Sequence, residues 1–255
     1  CLTIKKHTMA VNINTVYQTV LALANKEQRG YITPQEFNLF ANQAQMEIFE
    51  QYFYDLGQFK RVPSNDDPIS DVESILQEKI DLFEASQTLD DQNPQQPDTH
   101  DSLYPADHYR TIAMFARSGD SGNAGIQKLT RKEYQLAANS PLLKPTVDMP
   151  VYMNDWQNNR FIVVPNLITR SNFVSKVELY YIRKPKAPSW TYVVVNQKAL
   201  FNKVQGHTQD FELHESEHSN LVVRILKLAG VSIKDYNLAQ AAGQEEVKTI
   251  QQQKS

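Results

Sequence analysis

The sequence predicts an α+β fold: an N-terminal helical hairpin or bundle, a β-rich middle (an antiparallel sheet or a small sandwich), and a C-terminal helix with a polar tail. Three observations lead to this prediction. Apolar residues repeat at helical spacing as far as Phe83 and again around Leu221. Beyond Ser102 the period shortens toward two, which is typical of strands. Prolines punctuate that middle region and confine its strands to short or edge positions.

Region 11–83 is predicted to be helical. The first helix covers Thr15–Lys26, and Asn14 is a suitable N-cap for it. The second helix begins at Thr33–Glu36, where a capping box coincides with a proline at the first helical position. Its apolar stripe continues to Leu56 and is wider than one partner helix would cover.

A third helix and a linker are predicted to follow. The helix covers Ser70–Phe83, because Ser70 and Glu73 form another capping box. Segment 84–102 contains few apolar residues, several acids and two prolines, so we predict a linker loop. The residues of the helix that we expect to face inward are Val72, Ile75, Leu76 and Ile80.

Region 103–230 is predicted to be a β-rich domain closed by a helix. A short helix should begin at the capping box Thr130–Glu133, and Gln157–Asn159 has the composition of a hairpin turn. The closing helix covers Glu215–Ala229, and Gly230 is a natural stop for it. The candidate strands are Tyr109–Ala116, Val151–Trp156, Phe161–Val164, Lys176–Ile182, Trp190–Val195 and Gln209–Leu213.

The composition argues against several classes of function. Lys and Arg number 26 against 29 Asp and Glu, and the resulting net charge of -3 argues against a DNA-coating protein. Eight glycines in 255 residues leave little room for a phosphate-binding loop. The 23 Gln and 18 Asn instead give a polar surface with little charge, as expected of a body that packs against protein neighbours.

The two ends of the chain are predicted to lie outside the core. Residues 1–10 form an N-terminal extension, because hydrophobic patterning starts only after Met9, where we expect the natural start. The alternative is a mature lipoprotein acylated at Cys1, the single cysteine. No apolar run approaches the ~18 residues of a membrane span, so a soluble protein is expected. Residues 231–255 are predicted to form a Gln-rich polar tail helix.

Segment 214–218, His-Glu-Ser-Glu-His, is the strongest enzymatic motif in the chain. In an HExxH motif two histidines one helical turn apart hold zinc, and the glutamate acts as general base on the metal-bound water. The charge of Glu217 between the pair and the lack of a third ligand at metzincin spacing argue against this chemistry. We therefore expect no metal or other cofactor, and a zinc-dependent hydrolase that uses His214 and His218 is the alternative.

Three further motifs are better explained by structure. Residues 25–36 follow an EF-hand template, but Arg29 stands at a ligand position and opposes Ca²⁺. Gly119–Gly122 imitates the nucleophile segment of trypsin-like proteases, yet mostly helical and linker residues precede it where those proteases have a double barrel. Arg183–Lys186 is basic and lies near Trp190, where base stacking is conceivable, although such clusters more often mark a solvated strand end.

Three segments carry a resemblance to a known group of proteins. They are Val11–Phe59, with the run NKEQRGYITPQEFN; Lys176–Trp190, with LYYIRKP; and Asp210–Gly230, with DFELH at its start. They resemble uncharacterised structural proteins of tailed bacteriophages, including crAss-like phages and phages of marine bacteria. The layout is similar to that of head–tail connector proteins, also called adaptor or neck-ring proteins.

This resemblance implies a non-enzymatic protein of the virion, assembled in the host cytoplasm. It implies a homo-oligomeric ring that docks on the portal protein, contacts other neck or tail proteins, and lets DNA pass non-specifically, with no membrane partner. A tail-tube, capsid-accessory or ejected cargo protein is the alternative virion role. The broad stripe of the second helix and the weak self-sufficiency of the tail predict contacts with other subunits through Phe37, Phe40, Phe49, Tyr52, Phe53, Tyr236 and Leu238.

Overall fold

The computed structural model describes residues 10–26, 32–59, 67–89, 99–118, 122–167, 174–196, 198–204 and 206–232. The chain divides into two compact units. The helical unit comprises Cys1–Leu82 and Pro185–Ser255, and the sheet unit comprises Phe83–Lys184. The predicted α+β class is confirmed, with helices at the N-terminus, antiparallel sheets, and a helix near the C-terminus.

The described elements run along the chain from three helices, through strands interrupted by one short helix, to a last helix. They are α1 (Ile13–Lys26), α2 (Pro34–Phe59), α3 (Asp67–Asp81), β1 (Glu84–Leu89), β2 (His100–Leu103), β3 (His108–Ser118), β4 (Gly122–Gly125), β5 (Gln127–Lys128), α4 (Arg131–Ala138), β6 (Val151–Asp155), β7 (Arg160–Val164), β8 (Val174–Arg183), β9 (Tyr192–Val195), β10 (Lys198–Phe201), a 3₁₀ turn (Glu215–Glu217) and α5 (His218–Ser232).

Two of the predicted domain boundaries are wrong. Segment 84–102 is not a linker loop throughout, because it contains β1 and most of β2, although residues 90–98 lie outside the described part. The predicted domain 103–230 is also divided differently, since the chain from Pro185 onward, including α5, belongs to the helical unit. Low apolar content misled the prediction, because β1 is an edge strand whose side chains are mostly exposed.

Helix α1 begins earlier than predicted. The backbone N–H of Thr15 donates to Asn12 Oδ1 at 3.0 Å, so Asn12 and not Asn14 caps the helix. The backbone N–H of Ile13 donates to Asp210 Oδ1 at 2.9 Å, and Val11 pairs with Phe211. Contacts from a distant segment therefore fix where the helix starts.

Helix α2 has the predicted capping box. The backbone N–H of Glu36 donates to Thr33 Oγ1 at 3.3 Å, and the backbone N–H of Thr33 donates to Glu36 Oε2 at 2.9 Å. Hydrogen bonding to Thr33 lowers the pKa of the Glu36 carboxyl. The helix packs against α3 and α5 and extends to Phe59, beyond the predicted end of its stripe.

Helices α3 and α5 differ from the predictions at their ends and faces. Helix α3 begins at Asp67, so Ser70 lies within it and does not cap it. Leu76 and Ile80 are buried, but Ile75 is 53% exposed and does not face inward, because α3 packs on one side only. Helix α5 continues through Gly230, which is buried and not the predicted stop.

Two amide side chains on α2 hold the segments that return to the helical unit. Asn38 Oδ1 accepts from the backbone N–H of Trp190 at 2.8 Å, and its Nδ2 donates to the Trp190 carbonyl at 3.2 Å. Gln45, which is fully buried, accepts from the backbone N–H of Glu212 at 3.0 Å and donates to the Lys186 carbonyl at 2.8 Å. Positions 38 and 45 are two helical turns apart and so lie on one face of α2.

The described part of the sheet unit is a small sandwich. One sheet has the strand order β1-β8-β3-β4, and the other has the order β2-β7-β6-β5. All pairs are antiparallel except the short parallel pair of β5 and β6. Both sheets contribute to one core, with Met114 and Leu179 from the first and Phe161 and Val163 from the second.

Most of the predicted strands are confirmed. The structure has strands at the predicted segments 109–116, 151–156, 161–164, 176–182 and 190–195, with ends shifted by one or two residues. Asn159 has a φ of 53° in the turn between β6 and β7, where the hairpin turn was predicted. Thr130 and Glu133 form the predicted capping box of α4. Segment 209–213 is not a strand but makes only isolated bridges, at Gln209 and Phe211.

Three of the residues predicted to contact other subunits are buried inside the helical unit. Phe37 and Phe49 are 0% exposed and Tyr52 is 4% exposed. Phe37 contacts Tyr17 edge-on at 4.8 Å between ring centroids, so the broad stripe of α2 is covered by its own chain. The prediction was wrong because α2 packs against α3 and α5, and α1 packs against α5.

No helix among the described residues is long and apolar enough to span a membrane.

We expect Phe49→Ala to lower the free energy of unfolding by about 3–5 kcal/mol, because it removes a fully buried ring. Tyr54→Ala, at a site that is 62% exposed on the same helix, should change it by no more than about 0.5 kcal/mol. Urea unfolding of both variants measures the difference. Equal effects would contradict the core position of Phe49.

Candidate interaction surface

The HExxH residues do not lie on successive turns of one α-helix. His214 has an extended backbone (φ -59°, ψ 146°) and caps the 3₁₀ turn, and its Nδ1 accepts from the backbone N–H of Ser216 at 3.2 Å. His218 is the first residue of α5. In a zinc-binding HExxH helix the two rings project from the same helical face, which this geometry does not provide. Within the described ranges, no group of three or more His, Cys, Asp or Glu could hold a metal ion.

Glu217, the residue between the two histidines, belongs to a buried ion pair. Its Oε1 accepts from Lys79 Nζ at 2.6 Å, and its Oε2 accepts from Asn220 Nδ2 at 3.0 Å. Burial alone would raise the pKa of this carboxyl, but the hydrogen bond and charge of Lys79 hold it below the usual value. Burial, with the charge of Glu217, raises the pKa of the neighbouring Tyr52 hydroxyl.

This ion pair joins three helices and has a structural role. Lys79 comes from α3 and lies 5.5 Å from the centre of the Tyr52 ring on α2, while Glu217 precedes α5. Arg224 of α5 extends the network, since its Nε donates to Asn220 Oδ1 at 3.1 Å and its guanidinium also contacts Glu47 and Gln51 of α2. Glu217, whose charge in the sequence argues against a zinc site, thus holds the helices together.

A Ser–His pair lies in the sheet unit, where the sequence predicted only a linker. Ser102 Oγ is 2.9 Å from His100 Nε2 on β2. Such a pair can activate a nucleophile, but His100 is 0% and Ser102 1% exposed, so the protein covers the oxygen that a substrate would have to reach. Asp101 on the same strand forms an ion pair with Arg160 at 2.7 Å. We regard this buried group as part of the sandwich.

Trp190 is not available for stacking on a nucleic-acid base. It is 2% exposed, its ring centroid lies 4.0 Å from that of Tyr17, and its indole Nε1–H donates to Asn14 Oδ1 at 3.1 Å. The interpretation of the nearby basic cluster as a base-stacking site is therefore wrong. Trp190 instead anchors the segment that leads into β9.

Strands β9 and β10 form a two-stranded hairpin whose apolar side chains are exposed. Tyr192 and Phe201 pair across its base, where both rings contact Trp190. Because side chains alternate along a strand, the opposite face carries the cross-strand pair Val193 and Leu200. Exposed fractions are 42% for Val193 and 50% for Leu200.

This surface was not predicted from the sequence, although the signal was present. The run Tyr192–Val195 is apolar at every position, which predicts a strand covered on both faces. In the helical unit the hairpin pairs with no further strand among the described residues, and only the Trp190 side of its base is covered. We call the exposed residues Val193, Val195, Lys198 and Leu200 the hairpin surface; Val195 pairs with Lys198 and lies on the same face as Val193.

The remaining predicted interface residues have mixed positions. Phe40 and Phe53 are half-buried on α2, and the ring of Phe53 contacts that of Phe49 edge-on at 5.1 Å. Tyr236 and Leu238 lie outside the described residues, as does the polar tail that contains them. A role of these four residues in subunit contacts stays a prediction.

No protein-family model matches the chain, and no curated protein sequence shows significant similarity to it.

The buried carboxylate of Glu217 should make stability depend on pH, and its replacement should remove that contribution. Because its pKa is lowered in the folded state, Glu217 contributes stability above about pH 4.5 that is lost as the pH falls through the folded value. At neutral pH we expect Glu217→Gln to be less stable than the wild type by about 1.5–3 kcal/mol. The difference should narrow in urea unfolding below pH 4.5. Glu50→Gln, at an exposed site on α2, is the control; a difference that stays constant with pH contradicts the prediction.

Removal of divalent metal should leave the fold unchanged, because His214 precedes the helix that His218 begins. We expect purified protein to contain no stoichiometric zinc by elemental analysis. Its thermal midpoint should be the same before and after dialysis against a chelator. Zinc at one equivalent that is lost in His214→Ala would support the alternative hydrolase.

Proposed function

We propose that this chain is a non-enzymatic structural protein of a tailed phage, a head–tail connector or adaptor subunit that forms a ring between portal and tail. The phage assignment rests on the resemblance of the segments Val11–Phe59, Lys176–Trp190 and Asp210–Gly230. The proposal that the chain assembles with copies of itself rests on a structural observation, the hairpin surface. The separation of His214 from the helix that His218 begins, and the burial of the Ser102–His100 pair, favour a structural protein over an enzyme.

The hairpin surface supports assembly for an energetic reason. A two-stranded hairpin is at best marginally stable in water unless something packs against its faces. In this chain the base is fixed by Trp190 and by the backbone bond from Asn202 N–H to the Thr191 carbonyl at 3.0 Å, while the face with Val193 and Leu200 is open. Apolar groups held exposed on an ordered element are typical of protein–protein contact sites.

The net charge of the chain agrees with a ring subunit through which DNA passes. With a net charge of -3, a ring of copies would not bind DNA tightly through its overall charge, so DNA could pass along its centre. The alternative virion roles, a tail-tube, capsid-accessory or ejected cargo protein, differ in copy number and in position within the particle. A cryo-EM map of the portal vertex would distinguish them.

Mass photometry and light scattering of the purified protein test self-assembly. We expect the wild type to form particles many times heavier than 29.2 kDa, alone or with the portal protein. Val193→Asp with Leu200→Asp should shift the population to monomer, because it places charge where an apolar contact is needed.

Leu136→Asp, at a 65% exposed site on α4, is the matched control and should leave assembly intact. A wild type that stays monomeric at all concentrations, also with portal protein present, contradicts the proposal.

A further inference from the structure

We infer that the hairpin surface of one copy docks on the exposed face of α3 of the next copy, a head-to-tail contact between two different surfaces. This inference rests on the proposed function, because it names the contact that would build the ring.

The hairpin surface combines apolar side chains with positive charge. Lys198 stands on β10, and Lys203 follows the strand; both are exposed. Between residues 185 and 209 the sequence contains three lysines and no Asp or Glu. The partner that fits this surface is therefore an apolar strip bordered by carboxylates.

The outer face of α3 has that chemistry. Ile75 on the helix is 53% exposed, and Leu82, which directly follows the helix, is 39% exposed; Glu78 and Asp81 are exposed beside them. The one basic residue among the described side chains of α3, Lys79, faces inward to Glu217 and leaves the outer face acidic. A shallow surface depression runs along this face, lined by Glu73, Ser74, Gln77, Glu78 and Asp81.

A second copy, and not the same chain, is the occupant that the geometry favours. Asn38, near the start of α2, bonds Trp190 at the base of the hairpin. Helix α3 approaches α2 at Tyr52, whose ring lies near Lys79. These two points lie about 21 Å apart along α2, at about 1.5 Å per residue. Within one chain both surfaces are exposed, so the chain does not cover one with the other.

The use of two different surfaces has a consequence for symmetry. A contact between unlike surfaces repeats from copy to copy and closes into a ring when the rotation permits. The contact would place Val193 and Leu200 against Ile75 and Leu82, and lysines against Glu78 and Asp81. Nucleic acid fits less well, because the hairpin surface is mostly apolar and a phosphate backbone needs cations.

Charge reversal on each side, followed by the combination, tests the inference. Lys198→Glu with Lys203→Glu should weaken assembly at least about tenfold, because it brings like charges together. Glu78→Lys with Asp81→Lys should do the same. The four changes combined should restore assembly to within about threefold of the wild type, since the charges are again complementary. Lys132→Glu on α4 and Glu50→Lys on α2 are the controls, both at exposed sites, and should have no effect.

Cysteine cross-linking locates the contact directly. In a Cys1→Ser background, Val195→Cys with Glu78→Cys should give a ladder of disulfide-linked oligomers on oxidation. Val195→Cys with Glu50→Cys should not. If the wild type forms rings but the combined charge reversal does not restore assembly and no selective cross-link forms, the inference is overturned and the ring proposal stands. A wild type that stays monomeric overturns both. If Lys198→Glu with Lys203→Glu loses duplex-DNA binding but still assembles, the hairpin is a nucleic-acid site and the inference is also overturned.

Discussion

One constraint shapes the helical unit. The chain leaves this unit after Leu82 and returns to it at Pro185, and in the described part no further strand of the unit pairs with the returning segment. Two amides on α2 meet this constraint. Asn38 binds both the N–H and the carbonyl of Trp190, and Gln45 binds the carbonyl of Lys186 and the N–H of Glu212. An amide side chain offers one acceptor and one donor group, as a peptide unit does, so each acts as a substitute strand partner. Removing either would leave backbone groups unsatisfied, which is costly when they are buried.

Further contacts of this unit are built around those bonds. Because Asn38 fixes Trp190, the indole reaches Asn14 on α1 and packs on Tyr17, so the first two helices and the returning chain share one aromatic cluster. Gln45 binds the backbone of Glu212, next to Phe211, and Phe211 pairs with Val11 ahead of α1. The buried pair of Lys79 and Glu217 completes the arrangement by joining α3 to the start of α5. Removing one partner of such a pair is costly, because it leaves the other charge buried and uncompensated.

Local signals in the sequence predicted what is local in the structure. The capping boxes at Thr33 and Thr130, and the alternation of strands such as β7, involve residues within a few positions of one another. Two of the failures involve distant partners: Asn12 displaced Asn14 as cap because Asp210 binds the backbone of Ile13, and β1 forms because β8 supplies its hydrogen bonds. The burial of Phe49 likewise depends on helix packing. The ion pair of Lys79 with Glu217 joins residues more than 100 positions apart in the sequence. No periodicity contains that information.

The hairpin formed by β9 and β10 leaves apolar side chains exposed on an ordered element. Its base is held by Trp190, while toward its tip Val195 and Lys198 pair across the two strands and are exposed. Asn196 turns the chain with a φ of 49°, a conformation that asparagine tolerates better than most residues, so the hairpin is locally encoded. A surface that is encoded in the chain yet left open by its described residues gains apolar stabilisation when a partner covers it. The lysines that border this surface favour an acidic neighbour, and in the proposed ring another copy of the chain, with a net charge of -3, would be that neighbour.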